Sequence, residues 1–332
     1  MNTVLLIRFG KIGDMLLLYP PLKTLRRARA DLRLVLLVDT KFQKVASLFD
    51  CIDEVRDVST EFYSGSKSPP HLQYKQKYKM DCDVIIDFQA EKESVELVRH
   101  LKADAKIGFN TAGTRNNSYT DSFSPENILC WARCNYELLK KAFPGIPESF
   151  NRIPEKKKSA GGLRIGLFPG GSAACKRWSL SKWKLLSENL KELFPHAYCT
   201  AVTESRHTDC STWSIDSWVH DQDIRKVASI INTMDICVSN ESGLMHLSAI
   251  TGCRTVGLFG FGNTKVWAAY SDLIYPVFHN NTCSKDSRIN CEQLCYEPDC
   301  LEKVQVDEVL EAIQVLLNKP RWKSDANVIV PS

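Results

Sequence analysis

Nowhere does this chain hold the roughly 20 consecutive apolar residues that a membrane-spanning helix requires. Its early apolar stretch, after Thr3, runs only four residues before Arg8, and Gly13 and Asp14 separate it from the next apolar run. No small-residue cleavage pattern closes that segment, so it reads as a buried strand leading into a helix and not as a secretion signal. A strong charge of one sign is also lacking. A formal net charge of +4 over 332 residues admits an anionic substrate or an acidic membrane surface and makes no case for nucleic acid. The third glycine of the G-x-G-x-x-G dinucleotide fingerprint is missing, as is the G-x-x-x-x-G-K-[ST] of a P-loop. No DxD-type pair of carboxylates stands at a suitable loop, so nothing in the sequence requires a divalent metal on a diphosphate. Disulfide chemistry has no secretory setting here; the scattered cysteines fit a reduced, cytoplasmic compartment, where thiols pack as small hydrophobes.

What is present is a rhythm. Short apolar runs (Val4–Ile7, Leu34–Val38, Val84–Phe88, Arg164–Phe168, Ala197–Val202, Ile236–Ser239 and Thr255–Phe259) suit parallel strands buried on both faces. Amphipathic segments lie between and after them: Asp14–Arg27, Glu91–Leu101, Leu180–Leu193, Ile224–Thr233, Gly243–Thr251 and Val306–Leu317. The alternation predicts an α/β chain of doubly wound parallel sheets. It runs twice, and the polar, lysine-rich stretch Asn151–Gly162 breaks it, so two Rossmann-like domains are expected, over residues 1–155 and 156–332. Such sheets bind ligands outside the carboxyl ends of their strands, and an interdomain cleft is expected there. Residues 58–80 read as a long, basic, aromatic-studded loop, either simply solvated or part of an acceptor or membrane contact.

Four constellations carry chemistry. RFGKIGD places Asp14 after the first strand, where a carboxylate either caps the next helix or serves as a general base. GLFPGGSAACKRW, Gly166–Trp178, forms a glycine-serine turn with Gly171 and Ser172, whose N–H groups can approach an anion, and Lys176 comes a few residues later. SNESGLMHLSAITG, Ser239–Gly252, opens a helix at Ser242 and Gly243 with His246 in its first turns, an arrangement suited to a diphosphate or to a plain packed histidine. Cys283, Cys291, Cys295 and Cys300 are spaced C-x7-C-x3-C-x4-C. That set can ligate zinc or iron, remain as unligated thiols, or pair in disulfides, and it lacks the C-x-x-C knuckles of the common zinc signatures.

Taken in order, these segments resemble the heptosyltransferases, family 9 of the glycosyltransferases. RFGKIGDMLLLYPPLKTLRR is similar to the family's opening strand, turn and helix; LFPGGSAACKRWSLSKW to its phosphate loop; VSNESGLMHLSAITGCRTVGLFG to its diphosphate-binding helix; and CLEKVQVDEVLEAI to its closing segment. The resemblance implies a GT-B fold, with an acceptor-binding first domain and a nucleotide-sugar-binding second domain. It implies inverting transfer of a heptose or related sugar from an ADP-sugar to a glycan or lipid-linked glycan hydroxyl, lipopolysaccharide inner core being the family's commonest acceptor. Asp14 then falls at the catalytic base, and Gly171, Ser172, Lys176, Ser242, Gly243 and His246 at the donor diphosphate. No cofactor is required, zinc or iron at the cysteine cluster being an addition. The resemblance further implies a cytoplasmic enzyme, with peripheral contact at the inner membrane a further expectation.

Departures from the family pattern sit at the same places. Gly10 and Lys11 stand where serines are usual, making Lys11 a candidate acceptor contact, and Glu241 stands where an aspartate is usual, a further candidate donor or acceptor contact. The nucleoside region after the second strand of the second domain is short, which leaves Glu204 as a candidate donor contact. Two readings compete: a non-catalytic or protein-modifying relative with a cysteine-ligated metal, and a dinucleotide-dependent oxidoreductase, whose acidic ribose partner Asp39 approximates.

Overall fold

The first strand shows why the sheet forms where it does. In β1 (Thr3–Arg8) the run Val4–Ile7 is buried outright: parallel neighbours take up its backbone groups on both edges, and both faces of the sheet are covered. In this computed structural model, residues 2–60, 70–78, 82–110, 118–125, 130–148, 161–204, 209–260, 264–268, 271–279 and 298–319 are described. The chain divides into two compact units, Met1–Asn151 and Arg152–Ser332.

In unit 1, β1 is joined by β2 (Arg33–Asp39), β3 (Glu54–Val58), β4 (Val84–Asp87), β5 (Ala105–Phe109) and β6 (Asp121–Phe123). Every pairing is parallel, in the order β3-β2-β1-β4-β5-β6. Unit 2 repeats the plan with β7 (Arg164–Phe168), β8 (Tyr198–Thr203), β9 (Ser217–His220), β10 (Ile236–Asn240), β11 (Arg254–Phe259) and β12 (Ile274–Phe278), ordered β12-β11-β10-β7-β8-β9. In each unit the first strand is central and the chain crosses back to place the fourth beside it. The strand order reverses at that boundary, and ligands of open α/β sheets bind outside its carboxyl end.

Helices in unit 1 are α1 (Ile12–Leu16), α2 (Tyr19–Ala28), α3 (Gln43–Ala46), α4 (Pro70–Lys77), α5 (Lys92–His100) and α6 (Trp131–Ala142). The single helix expected over residues 14–27 is divided at Leu17 and Leu18. Pro20 and Pro21 cause the division: proline fits the first turn, where its missing N–H has no partner to lose, and so they begin α2. The stretch read as a loop over residues 58–80 also differs, since α4 occupies part of it. Its Tyr74 is 2% exposed and accepts a 2.8 Å bond from the buried guanidinium of Arg56 on β3. That anchor turns a polar segment into a docked helix, while residues 61–69 lie outside the described set.

Unit 2 carries α7 (Leu180–Leu193), α8 (Ile224–Ile231), α9 (Gly243–Ile250), α10 (Thr264–Trp267) and α11 (Val306–Asn318). Its core includes Trp178 set edge-on to Trp183 at 5.4 Å, with Trp213 stacked on Trp183 at 6.3 Å. Arg254, buried on β11, donates to the carbonyls of Leu316 and Lys319 at the end of α11. The scattered cysteines of this unit, Cys199, Cys210 and Cys237 among them, are buried with the apolar side chains. No helix among the described residues is long and apolar enough to cross a membrane.

A close fit supports the end of β4. Asp87 is fully buried and accepts a 2.8 Å bond from the Tyr119 hydroxyl. Tyr119 reaches it across Gly108 of β5, where an added Cβ would lie 2.3 Å from the ring. Gly108→Ala should therefore cost about 1–3 kcal/mol in chemical denaturation. Pairing it with Tyr119→Ala removes the clash, so the double variant should lose less than the two singles summed. Strictly additive losses would show that the two residues do not meet.

Candidate active site

At the switch point of unit 1, β1 ends on Arg8 and turns through Phe9, Gly10 and Lys11 into α1. The Arg8 guanidinium donates from Nη1 to the Phe88 carbonyl beyond β4, and its Nη2 lies 3.3 Å from Asp14 Oδ2. Asp14 is the third residue of α1 and its side chain is 26% exposed, so the carboxylate is paired and still open to solvent. The exposed Lys11 occupies the N-cap position, with no side-chain capping bond. Gly10 matters because a Cβ there would sit 3.2 Å from Asp14 Oδ2 and 3.1 Å from Gln89 Oε1. Gln89 Oε1 accepts from Phe9 N at 3.2 Å. Its own turn is set by Asp87, whose Oδ1 takes the N–H groups of Gln89 and Ala90 at 2.9 and 3.0 Å while Ala90 adopts φ +49°. Burial pushes the Asp87 carboxyl above the usual range.

The corresponding point of unit 2 holds the glycine-serine turn after β7. Asn240, the last residue of β10, is fully buried. Its Nδ2 donates to the carbonyls of Pro169 at 2.7 Å and Gly170 at 3.2 Å, and its Oδ1 accepts from Trp178 N at 3.4 Å. Both ends of the turn are thereby clamped. Within it, Arg177 Nε donates to Gly171 O at 2.8 Å, and a Cβ on Gly171 would lie 2.8 Å from the Lys176 carbonyl, so only glycine lets the turn close. Ser172 is exposed on this turn. Lys176 ends a short 3₁₀ turn, Ala174–Lys176, and its Nζ lies 3.4 Å from Oε1 of the buried Glu241.

Glu241 leads into Ser242, the N-cap of α9, whose Oγ is 3.3 Å from Ser239 Oγ, and Gly243 is the first helical residue. Orphan N–H groups and the helix dipole favour an anion there. His246 sits one turn in and is 4% exposed. Burial first, and the Lys176 charge second, push its imidazole down to about 3, so it is neutral at physiological pH. Glu204, exposed beyond β8, borders the same turn: its Oε1 would be 3.6 Å from a Cβ on Gly170.

Gly171, Ser172, Lys176, Glu241, Ser242, Gly243 and His246 therefore gather at one switch point, with Glu204 beside them, while Asp14 and Lys11 share the other. Cys283, Cys291 and Cys295 lie outside the described residues; Cys300 is half-buried in the 3₁₀ turn Pro298–Lys303. Sequence reasoning missed Asn240 as the clamp of the turn and Gln89 as its counterpart in unit 1. Both stand where the fourth strand ends, and that position is the signal that identifies them.

Residues 73–297 match the family model for glycosyltransferase family 9 (heptosyltransferase). The chain belongs to this family. The match includes Lys176, Glu241 and His246 and begins after Asp14. Family 9 structures share the two-sheet GT-B fold seen here. Escherichia coli heptosyltransferase WaaC with ADP aligns at a TM-score of 0.73 and 14% identity, covering 95% of this chain and 99% of that one. A family 9 glycosyltransferase from Veillonella parvula gives 0.74 and 15%, covering 95% and 97%. The E. coli ADP-heptose lipopolysaccharide heptosyltransferase II gives 0.70 and 15%, covering 96% and 98%. No curated protein matches by sequence.

The buried imidazole makes a pH test. Because its folded pKa is depressed, the stability tied to a neutral His246 is complete above about pH 6.5. It is lost as the pH falls from there toward 3. In that window His246→Asn should flatten the fall of unfolding free energy by up to about 1.4 kcal/mol per pH unit. Equal slopes for the two proteins, measured by urea titration at each pH, would contradict a buried neutral histidine.

Proposed function

We propose that this family 9 member is an inverting transferase that moves a heptose or related sugar from an ADP-sugar to a hydroxyl of an acceptor glycan. The acceptor implied by the family resemblance is lipopolysaccharide inner core or a related lipid-linked glycan. The observation that carries the reading is the clamped turn of unit 2, with Lys176 and the opening of α9 at the same switch point. Together they offer an ammonium, a neutral imidazole and orphan N–H groups to one diphosphate. The ADP in the WaaC structure supports the choice of nucleotide by analogy of fold.

In this reading Asp14 accepts the proton of the acceptor hydroxyl as that oxygen attacks the anomeric carbon. The bond from that carbon to the diphosphate breaks, ADP leaves with the electron pair, and the configuration inverts. Arg8 holds the Asp14 carboxylate in place through its guanidinium. Lys176 and the α9 terminus stabilise the negative charge that grows on the departing diphosphate. Glu241 holds Lys176 in place before the donor arrives, and the incoming phosphates compete with it for the ammonium. Glu204 and Lys11 are assigned contacts to donor and acceptor respectively. The step uses the donor and the chain's own side chains, and the residues at 1–155 and 156–332 divide as acceptor and donor domains.

Asp14→Asn should lower transfer by roughly 10²–10⁴-fold while ADP binding, measured by calorimetry, stays within error of the native protein. Lost ADP binding with transfer preserved would reverse the assignment. Lys176→Ala should weaken ADP binding and slow transfer together. If both were unchanged in an assay of ADP release, the turn of unit 2 would not be the donor site.

A further inference from the structure

Away from both switch points, α4 and α5 bring together three side chains with the chemistry of metal ligands. Glu96 and His100 are one helical turn apart on α5, so they share a face. His71, near the start of α4, lays its ring on that of His100, with centroids 4.0 Å apart and planes within 10°. One ligand atom from each of the three residues lies within 4.8 Å of the others, and among the described residues this is the group of His, Cys, Asp and Glu that meets such spacing. His100 Nδ1 is 2.8 Å from the Glu96 carbonyl oxygen and 3.4 Å from Glu96 Oε1. The second carboxylate oxygen, Oε2, takes a 3.2 Å bond from Arg99. One carboxylate oxygen thus lies near His100 and the other is paired with Arg99.

We propose that His71, Glu96 and His100 form a three-ligand zinc site that fastens α4 to α5. Two imidazoles and one carboxylate are a set suited to zinc and poorly suited to magnesium or calcium, which take oxygen. Zinc bonds of about 2.0–2.1 Å place tetrahedral ligand atoms roughly 3.3 Å apart, so the ligand atoms need to close by about 1.5 Å or less and the stacked imidazoles need to turn out of parallel for their in-plane lone pairs to meet one ion. The Glu96 and His100 side chains are 33% and 37% exposed, which gives the ion a route in and water the fourth position. His100 ends α5, the helix that starts beyond Gln89, and its nine residues put the site roughly 13 Å from that end. The metal is therefore a tie between helices and takes no part in the chemistry at Asp14.

The test is zinc titration of the full chain after chelator treatment, against a chromophoric competitor. It is done in the native background and in one with Cys283, Cys291, Cys295 and Cys300 changed to serine, so that thiol-bound metal is counted separately. One zinc equivalent should remain without those thiols, and His71→Gln or His100→Gln should weaken it at least 10-fold. Arg99→Ala keeps all three ligands and removes a competing cation, so it should tighten binding several-fold; a variant that merely disturbed folding would not. Zinc should also raise the unfolding midpoint of the native chain and leave that of His100→Gln unmoved. Equal zinc affinity in the native chain and in both histidine variants would overturn the site, as would no zinc uptake in the serine background by a chain whose circular dichroism is native.

Discussion

The amide of Asn240 faces two ways, and the geometry of the donor turn depends on it. Its nitrogen holds the carbonyls of Pro169 and Gly170, and its oxygen holds the N–H of Trp178, all from inside the protein where no water competes. A buried amide left half-bonded costs about 1–3 kcal/mol, so the turn has one favoured shape. Everything the turn presents outward relies on that shape: the placing of Lys176, the fit of Gly171 against the chain, and the approach to α9. Unit 1 solves the same problem with Gln89, whose oxygen takes the Phe9 N–H across the equivalent strand boundary.

Charge at the donor turn is arranged so that the fold tolerates it without a ligand. Lys176 has Glu241 within 3.4 Å, and His246 beneath it stays neutral because a second cation there would be both desolvated and repelled. Asp14 in unit 1 has Arg8 in the corresponding role. In each pair the functional charge is the more exposed member and its partner of opposite charge is the more deeply set one.

The fold was legible where burial is symmetrical. Strands β1, β2, β4, β7, β8, β10 and β11 have neighbours on both edges, and their unbroken apolar runs announce them. The edge strands β3, β6, β9 and β12 were missed: β9 is half-buried along its length, and β12 contains Pro276, which the sheet accepts at an edge. Interior β5 was missed for a different reason. It carries Lys106, whose ammonium is satisfied by the Val98 carbonyl at 3.0 Å, a partner that no local pattern reveals. At the site, the glycines and charges could be read because turn chemistry is local. The Asn240 clamp spans 71 residues and exists only once the strand order is known.

Arg254 carries a consequence for how the molecule is made. Its guanidinium is buried on β11, yet the carbonyls it grips belong to the end of α11, more than sixty residues later. The Val304 carbonyl, just before that helix, also receives bonds from the Trp178 indole and from Lys182. A nascent chain still lacking α11 would be without the Leu316 and Lys319 carbonyls that this buried guanidinium grips and without the cover that follows Val304. Unit 2 therefore closes only when α11 has docked, whereas every described strand of unit 1 precedes it in the chain.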